Sequence, residues 1–445
     1  MRHKMKALFR VGITRVRARL WLMSIMILFF LPGTGLARIY IDINAPSIRK
    51  FNIAIPDFKY LGKDNRNPEL STRLPGVISN DLALSGYFSP MDKQAFLEGK
   101  DGPLTLQKIR FKDWSVIGAE LLLKGGYTCV GRSLEMEVRL FDVFWARQIL
   151  GKRIIGDIKD YRYLMHRLGN EIIRQLTGHE GIFLTRLAFV GNERGNKEIY
   201  VSDYDGHNVQ PMTNDRSIAL LPRWSPDGMK IMYNSYKDGG PMLYMKDIRS
   251  NRVKRISSRA GLNIGASWTP DGKNVALTLS KNGNPDIYAI DLNGKILKKL
   301  AGHWGIDVSP AFSPDKKKMA FVSNRSGSPQ IYLLHLETGR EERLSFEGKY
   351  NTSPVWSSLN RIAFVSMNDG HFDIYTMDAD GGRVKRLTEN QGNNEDPCWS
   401  PDGRYIVFSS NRKGRYHLYM MNANGQNQSR ITFLRGDQSS PSWAP

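Results

Sequence analysis

Over most of this chain, short apolar or alternating runs are cut by Pro, Asp, Asn and Gly, the pattern of β-strands joined by tight turns. From residue 187 onward the pattern repeats. An aromatic residue followed by a turn recurs as Trp224-Ser-Pro-Asp-Gly228, Trp268-Thr-Pro-Asp-Gly272, Phe312-Ser-Pro-Asp-Lys316, Trp356-Ser-Ser-Leu-Asn360, Trp399-Ser-Pro-Asp-Gly403 and Trp443-Ala-Pro445. The aromatic spacings are 44, 44, 44, 43 and 44 residues. Tyr200, Tyr244, Tyr288, Tyr332, Tyr375 and Tyr419, each preceded by Ile or Leu, keep the same beat. Within a unit, Pro fixes φ at the first hairpin and Gly accepts a positive φ. Runs such as Tyr405–Ser410 (YIVFSS) supply β-branched and aromatic strand positions. Asp203–Gly206, Asp291–Gly294 and Asp378–Gly381 supply a later turn. A four-stranded unit of about 44 residues has the size of a propeller blade.

The ends of the array predict how it closes. The first unit, from Leu187-Ala-Phe-Val190, has no aromatic strand of its own, and the last complete unit is followed by a lone Pro441-Ser-Trp443. Trp443 is expected to return to the first blade and close a six-bladed ring, removing an open sheet edge. A straight solenoid would leave Trp443 without a blade. Trp356 to Ile362 spans six residues where the other units have seven, which puts the one-residue deletion in that blade's first hairpin.

Residues 38 to about 180 lack the repeat and read as a small α/β domain. Strands are expected at Asn52–Phe58, Val116–Leu123 and Leu134–Val143, with a helical stretch before Gly86. Tyr161, Leu164, Met165, Leu168, Ile172 and Leu176 share one face of a helix that stops at Gly178. Gly178–Phe183 is expected to be a short, stiff connection. The predicted fold is a small α/β N-terminal domain followed by an all-β six-bladed propeller closed by the C-terminal strand, divided as 1–37, 38–180 and 181–445.

Residues 1–37 carry seven basic residues and no acid, then the apolar run Leu20–Leu31, then Gly35 and Ala37. This is the layout of a secretory signal cleaved between Ala37 and Arg38. Twelve apolar residues at 1.5 Å each span about 18 Å, short of the ~30 Å needed to cross a bilayer as a helix. The leader changes the meaning of the charge: the formal +21 of the chain falls to +14 once its seven bases are set aside. An exported protein with scattered bases is not expected to bind nucleic acid. The run Lys316-Lys317-Lys318 sits in a hairpin turn and reads as solvated surface.

Residue combinations that carry chemistry are scarce in this chain. The two cysteines, Cys129 and Cys398, exclude a disulfide scaffold and a four-Cys zinc site. The closest approach to a nucleophile elbow, Gly265-Ala-Ser-Trp-Thr269, lacks its second Gly and falls in an aromatic strand. The eight histidines form no His-x-His or His-Glu-x-x-His pair. Asp residues concentrate in turns, and Gly pairs such as Gly239-Gly240 lie between strands rather than opening helices. No catalytic, cofactor or metal site is expected, and a monomer is.

A leader, an α/β domain and six Trp-Ser-Pro-Asp-Gly/Ile-Tyr units ending at a closing Trp443 resemble the TolB family of the Tol-Pal system of Gram-negative bacteria. The resemblance implies a periplasmic binding protein that connects the peptidoglycan-associated lipoprotein Pal with the inner-membrane-anchored TolA. It implies roles in outer-membrane integrity, in outer-membrane invagination at cell division, and in bacteriocin import. In the family the segment after signal cleavage binds TolA; here that is Arg38, Ile39, Tyr40, Ile41, Asp42 and Ile43. Its alternation suits β-augmentation, and equally an ordinary first strand. Pal docks on a propeller face around the channel. The loops entering the aromatic strands reach such a face, marked by Arg223, Asn263, Asp307, Asn351, Asn394 and Gln438. Docking there and release of Arg38–Ile43 are expected to be coupled through the connection near Gly178–Phe183. The rival reading is a propeller hydrolase or small-ligand binder at the channel mouth. Its appended-domain form finds no room after Trp443, and its metal form finds only the separated Asp307, Glu395, Asp396 and Asp437.

Overall fold

The structure, a computed structural model, describes residues 49–64, 66–99 and 102–444; the expected leader and the segment 38–43 lie outside them. Six strands build the first sheet: β1 (Phe51–Ala54), β2 (Lys59–Tyr60), β3 (Phe88–Pro90), β4 (Leu121–Val130), β5 (Ser133–Asp142) and β6 (Arg147–Asp157). Their order is β3-β1-β4-β5-β6, with β2 beside β4. β1 runs parallel to both neighbours, and β4, β5 and β6 form an antiparallel meander. Helices α1 (Leu70–Leu84) and α3 (Tyr161–Thr177) pack against each other. α3 buries Leu164, Met165, Leu168, Ile172 and Leu176, the expected face, and ends where Gly178 turns left-handed at φ 75° and donates to Arg174.

Three local expectations change. β1 stops at Ala54, ahead of Pro56, which has no N–H to give a ladder. Residues 116–120 are not strand: Phe111–Val116 forms a short helix, α2, because Phe111 and Trp114, three apart, pack on Phe141 and Phe96. The strand begins only at Leu121. β6 was not expected at all; its run RQILGKRIIGD mixes Gly and charge into an edge strand half open to solvent.

From Arg186 to Trp443 the chain forms six four-stranded antiparallel sheets, numbered here as blades one to six in chain order. Their inner strands are Gln438–Trp443 for blade one, then Ala219–Trp224, Asn263–Trp268, Asp307–Phe312, Asn351–Trp356 and Asn394–Trp399. Gln438 faces Gly191 and Trp443 faces Leu187, so the carboxyl end closes blade one as expected. Two tryptophans join blades: Trp268 donates to the Arg223 carbonyl at 3.2 Å and Trp399 to the Val355 carbonyl at 3.1 Å, while Trp443 donates to Thr185, at the entry to blade one, at 2.7 Å. At the first hairpin of blade two, the Asp227 carboxylate accepts from Ser225 and from the Met229 N–H. Blade five closes the same turn one residue shorter, Ser357 to Arg361, with Asn360 at φ 58°. The ladder tyrosines lie mid-blade, five of them against an aromatic of the preceding strand, such as Phe189–Tyr200 and Phe408–Tyr419. No helix among the described residues is long and apolar enough to cross a membrane.

Candidate functional site

The residues expected to mark a docking face start or line the inner strands, and five are inside the protein. Asn263, Asp307, Asn351, Asn394 and Gln438 are each at most 1% exposed. Asn263 accepts from Ser257 at 2.6 Å, Asp307 from Arg325 at 3.0 Å and Asn394 from Arg412 at 3.0 Å; Gln438 meets His417 at 2.6 Å. In this structure their side chains tie each incoming loop to its blade rather than standing on the open surface. Arg223 lies four residues further along its strand, half-buried, at the channel.

The channel, about 330 Å³, is lined by a ring of bulges. Each inner strand loses register for two residues, for example between Leu220 and Arg223. The first bulged residue takes φ between 51° and 64°: Leu221, Gly265, Ser309, Ser353, Asp396 and Ser440. The next is Pro in five blades, tolerated because a bulge asks for no ladder N–H. Asp396 is spent on Ser440, accepting from its N–H at 3.0 Å and its hydroxyl at 3.1 Å.

The adjacent Glu395 and Asp396 are joined by Asp437, from the loop before the next inner strand, around one cavity of about 370 Å³ together with Lys197 and Tyr416. Burial holds the Glu395 carboxyl above the usual carboxylate range, against the hydrogen bond from Tyr416. This grouping was not visible from the loops.

The N-terminal sheet and helices meet the propeller on the face that carries the Pro-Asp-Gly turns. Tyr405 donates to the Ser85 carbonyl at 2.9 Å, and Asn427 donates to the Ala83 and Leu84 carbonyls. At the centre is a buried polar cluster. Asp81 of α1 lies 2.9 Å from His166 Nδ1 of α3 and accepts from Tyr204 of blade one at 2.7 Å. Arg162 donates to Asp205 at 2.5 Å. Burial pushes the Asp81 carboxyl up, opposed by His166, and pushes the Tyr204 phenol well up. Asp81, His166 and Asp205 bring three possible ligand atoms within 4.8 Å. Each carboxylate, however, already accepts from a protein donor, which suits a clasp between domains. The signal was unreadable beforehand because Asp81 and His166 are 85 residues apart.

The opposite face carries the loops entering the inner strands, and there large apolar side chains stand in solvent. Trp304 is 68% exposed, Phe346 72% and Phe433 67%, with Ile306 and Tyr350 beside them in sequence. They occupy the corresponding loops between blades three and four, four and five, and six and one, an apolar set larger than scattered single side chains would make.

Residues 173–445 match the family described as the TolB beta propeller domain, and residues 39–149 match the TolB amino-terminal domain. The chain is 43% identical over 224 residues to the Tol-Pal system protein TolB of Desulfosudis oleivorans, covering 49% of this chain and 51% of that protein. It is 36% identical over 209 residues to the protein of the same description from Syntrophus aciditrophicus, covering 46% of each. Those matches span about half the length of the curated relatives. Among solved structures, the crystal structure of TolB from Acinetobacter baumannii superposes with a TM-score of 0.76 at 27% identity, over 92% of this chain and all of that one.

Proposed function

Because the chain belongs to the TolB family, we propose that it is the TolB component of a Tol-Pal system, an envelope protein that binds partners rather than transforming a substrate. The observation that carries this reading is the pairing of two family regions in one chain with an apolar, aromatic loop face turned away from the N-terminal domain. In this account residues 1–37 are removed on export to the periplasm, 38–180 form the first domain and 181–445 the propeller. The protein serves outer-membrane integrity and constriction at division by linking Pal and TolA.

Pal docks on the loop face. Trp304, Phe346, Tyr350 and Phe433 are the anchors, since aromatic side chains that become buried dominate interface energies. Asn263, Asp307, Asn351, Asn394 and Gln438 hold that face in shape from within, and Arg223 stands at the channel. TolA takes Arg38–Ile43 as an added strand. Lys50, where the described chain starts, donates to Asn427 of blade six at 2.7 Å. Pal docking and release of Arg38–Ile43 are then coupled, and each partner changes the other's affinity by one common factor.

The test is a pair of variants. Trp304→Ala with Phe346→Ala should weaken soluble Pal at least about tenfold without lowering Tm, because both side chains are already in water. Deleting 38–43 should abolish TolA binding and change Pal affinity. Unchanged Pal affinity in the deletion would refute the coupling.

A further inference from the structure

The tyrosine ladder carries a second ladder of cations. Seven residues before the tyrosine, blades two, three, four and six place Lys237, Lys281, Arg325 and Arg412. Their charged groups stand 4.2, 5.2, 4.9 and 4.4 Å from the rings of Tyr244, Tyr288, Tyr332 and Tyr419. The two arginines are held in the same way. Arg325 donates to Ser323 Oγ at 2.8 Å, to Asp307 at 3.0 Å and to Glu341. Arg412 donates to Ser410 Oγ at 2.9 Å, to Asn394 Oδ1 at 3.0 Å and to Gln428 at 2.9 Å. Each guanidinium thus lies in the gap beside its blade, over a Phe–Tyr pair, and Arg325 is only 14% exposed.

Blade five breaks the series. Asn368 stands at the cation's position, and its Nδ2 donates to the Tyr375 hydroxyl. Beside it, between blades four and five, is a cavity of about 240 Å³ whose lining includes Asn351, Phe364, Ser366, Tyr375 and Val384. The lining matches the arginine cradle of blade six position by position: Ser366 for Ser410, Asn351 for Asn394, and Phe364–Tyr375 for Phe408–Tyr419. The ring pairs agree at 5.7 Å and 32° against 6.1 Å and 31°. Only Val384, in place of Gln428, withdraws an acceptor.

Asn351 shows what is missing. Its Nδ2 donates to Gln330 and to the Glu347 carbonyl, both at 2.8 Å. Its Oδ1, the counterpart of the atom that receives Arg412, has no partner among the described residues although the residue is 1% exposed. A buried acceptor left unsatisfied loses its hydration with nothing in return, so it calls for a donor. Blade one also lacks the cation, with Glu193 at that position, but there Gln438 is spent on His417 and on the Leu434 carbonyl.

We propose that the gap between blades four and five receives an arginine side chain from a protein partner docked on the loop face, completing from outside the ladder that four other blades complete for themselves. Arginine fits better than lysine because a planar group must both cover the ring pair and reach two separated acceptors, Asn351 Oδ1 and Ser366 Oγ. Glu347, exposed at the mouth, supplies the attracting charge. The inference rests on the reading that this face docks a protein.

The first experiment presents the full mature chain with N-acetyl-arginine methylamide, and with its citrulline analogue as the uncharged control, in ligand-observed saturation-transfer NMR. Transfer to the arginine side chain but not to citrulline is expected. Asn368→Arg should abolish it, by filling the gap from within, and should raise Tm. Ser366→Ala, which keeps the cavity, should weaken it several-fold. Equal transfer to both probes, or undiminished transfer to Asn368→Arg, overturns the pocket. A second arm titrates soluble Pal. Asn368→Arg should weaken it roughly tenfold or more, the scale of a desolvated cation–π contact. Wild-type protein that fails to bind Pal overturns the docking reading and leaves the probe result standing. Wild-type and Asn368→Arg binding Pal equally overturns the partner's arginine as the occupant.

Discussion

Tyr204 is buried between Asp81, His166 and Phe183, and its hydroxyl donates to Asp81 Oδ1 at 2.7 Å. Tyr204→Phe leaves the ring in place and takes one donor from a buried carboxylate, so it should cost about 1–3 kcal/mol in urea denaturation. Asp81 also sets a pH dependence. Its folded pKa lies above the unfolded value of 3.8 through burial, so the folded state holds the proton more tightly. Its contribution to stability is greatest below the unfolded pKa and falls as pH rises through the folded one. Asp81→Asn should flatten that descent; a profile of the same slope would contradict the assignment. Nothing in the sequence announced this cluster. A motif search sees spacing along the chain, whereas Asp81, His166 and Asp205 meet only after two domains dock. The docking-face residues lie inside for a related reason: polar Asn and Gln in irregular loops read as surface, but a loop entering a blade needs a buried hook.

The first-hairpin turns show the opposite sign. Asp227, Asp271 and Asp315 are each held below the usual carboxylate range by a Ser or Thr hydroxyl and a backbone N–H. Their contribution is complete above the unfolded value of 3.8 and is lost as pH falls through the lowered one. Asp→Asn at all three should therefore reduce the loss of Tm on acidification, measured by calorimetry from about pH 5 downward. These turns were legible because Pro, Asp and Gly each do a distinct steric or hydrogen-bonding job at a fixed place. The strands of the propeller were legible because the period repeats them. In the N-terminal domain each element occurs once. There Val116–Leu123 reads as one strand, but Phe111 and Trp114, packing on Phe141 and Phe96, draw Val116 into a helix, and β6 carries no alternation to read.

Ring closure is a property of the whole molecule. Trp443 is 6% exposed, pairs with Leu187 and bonds Thr185, so one side chain holds the two ends of the propeller together. Trp443→Ala should cost about 3–5 kcal/mol, the usual range for a buried aromatic. Removing 438–445 altogether should leave blade one with an open edge and yield aggregates in size-exclusion chromatography. The closed ring presents two unlike faces, one clasped to the N-terminal domain and one lined with Trp304, Phe346 and Phe433. That asymmetry is the basis for reading the protein as a connector in the cell envelope. The most direct measurement is calorimetric titration of residues 38–445 with soluble Pal from the same genome. Saturable one-to-one binding that is lost in Trp304→Ala with Phe346→Ala is the predicted result. No heat from a folded sample would contradict the account.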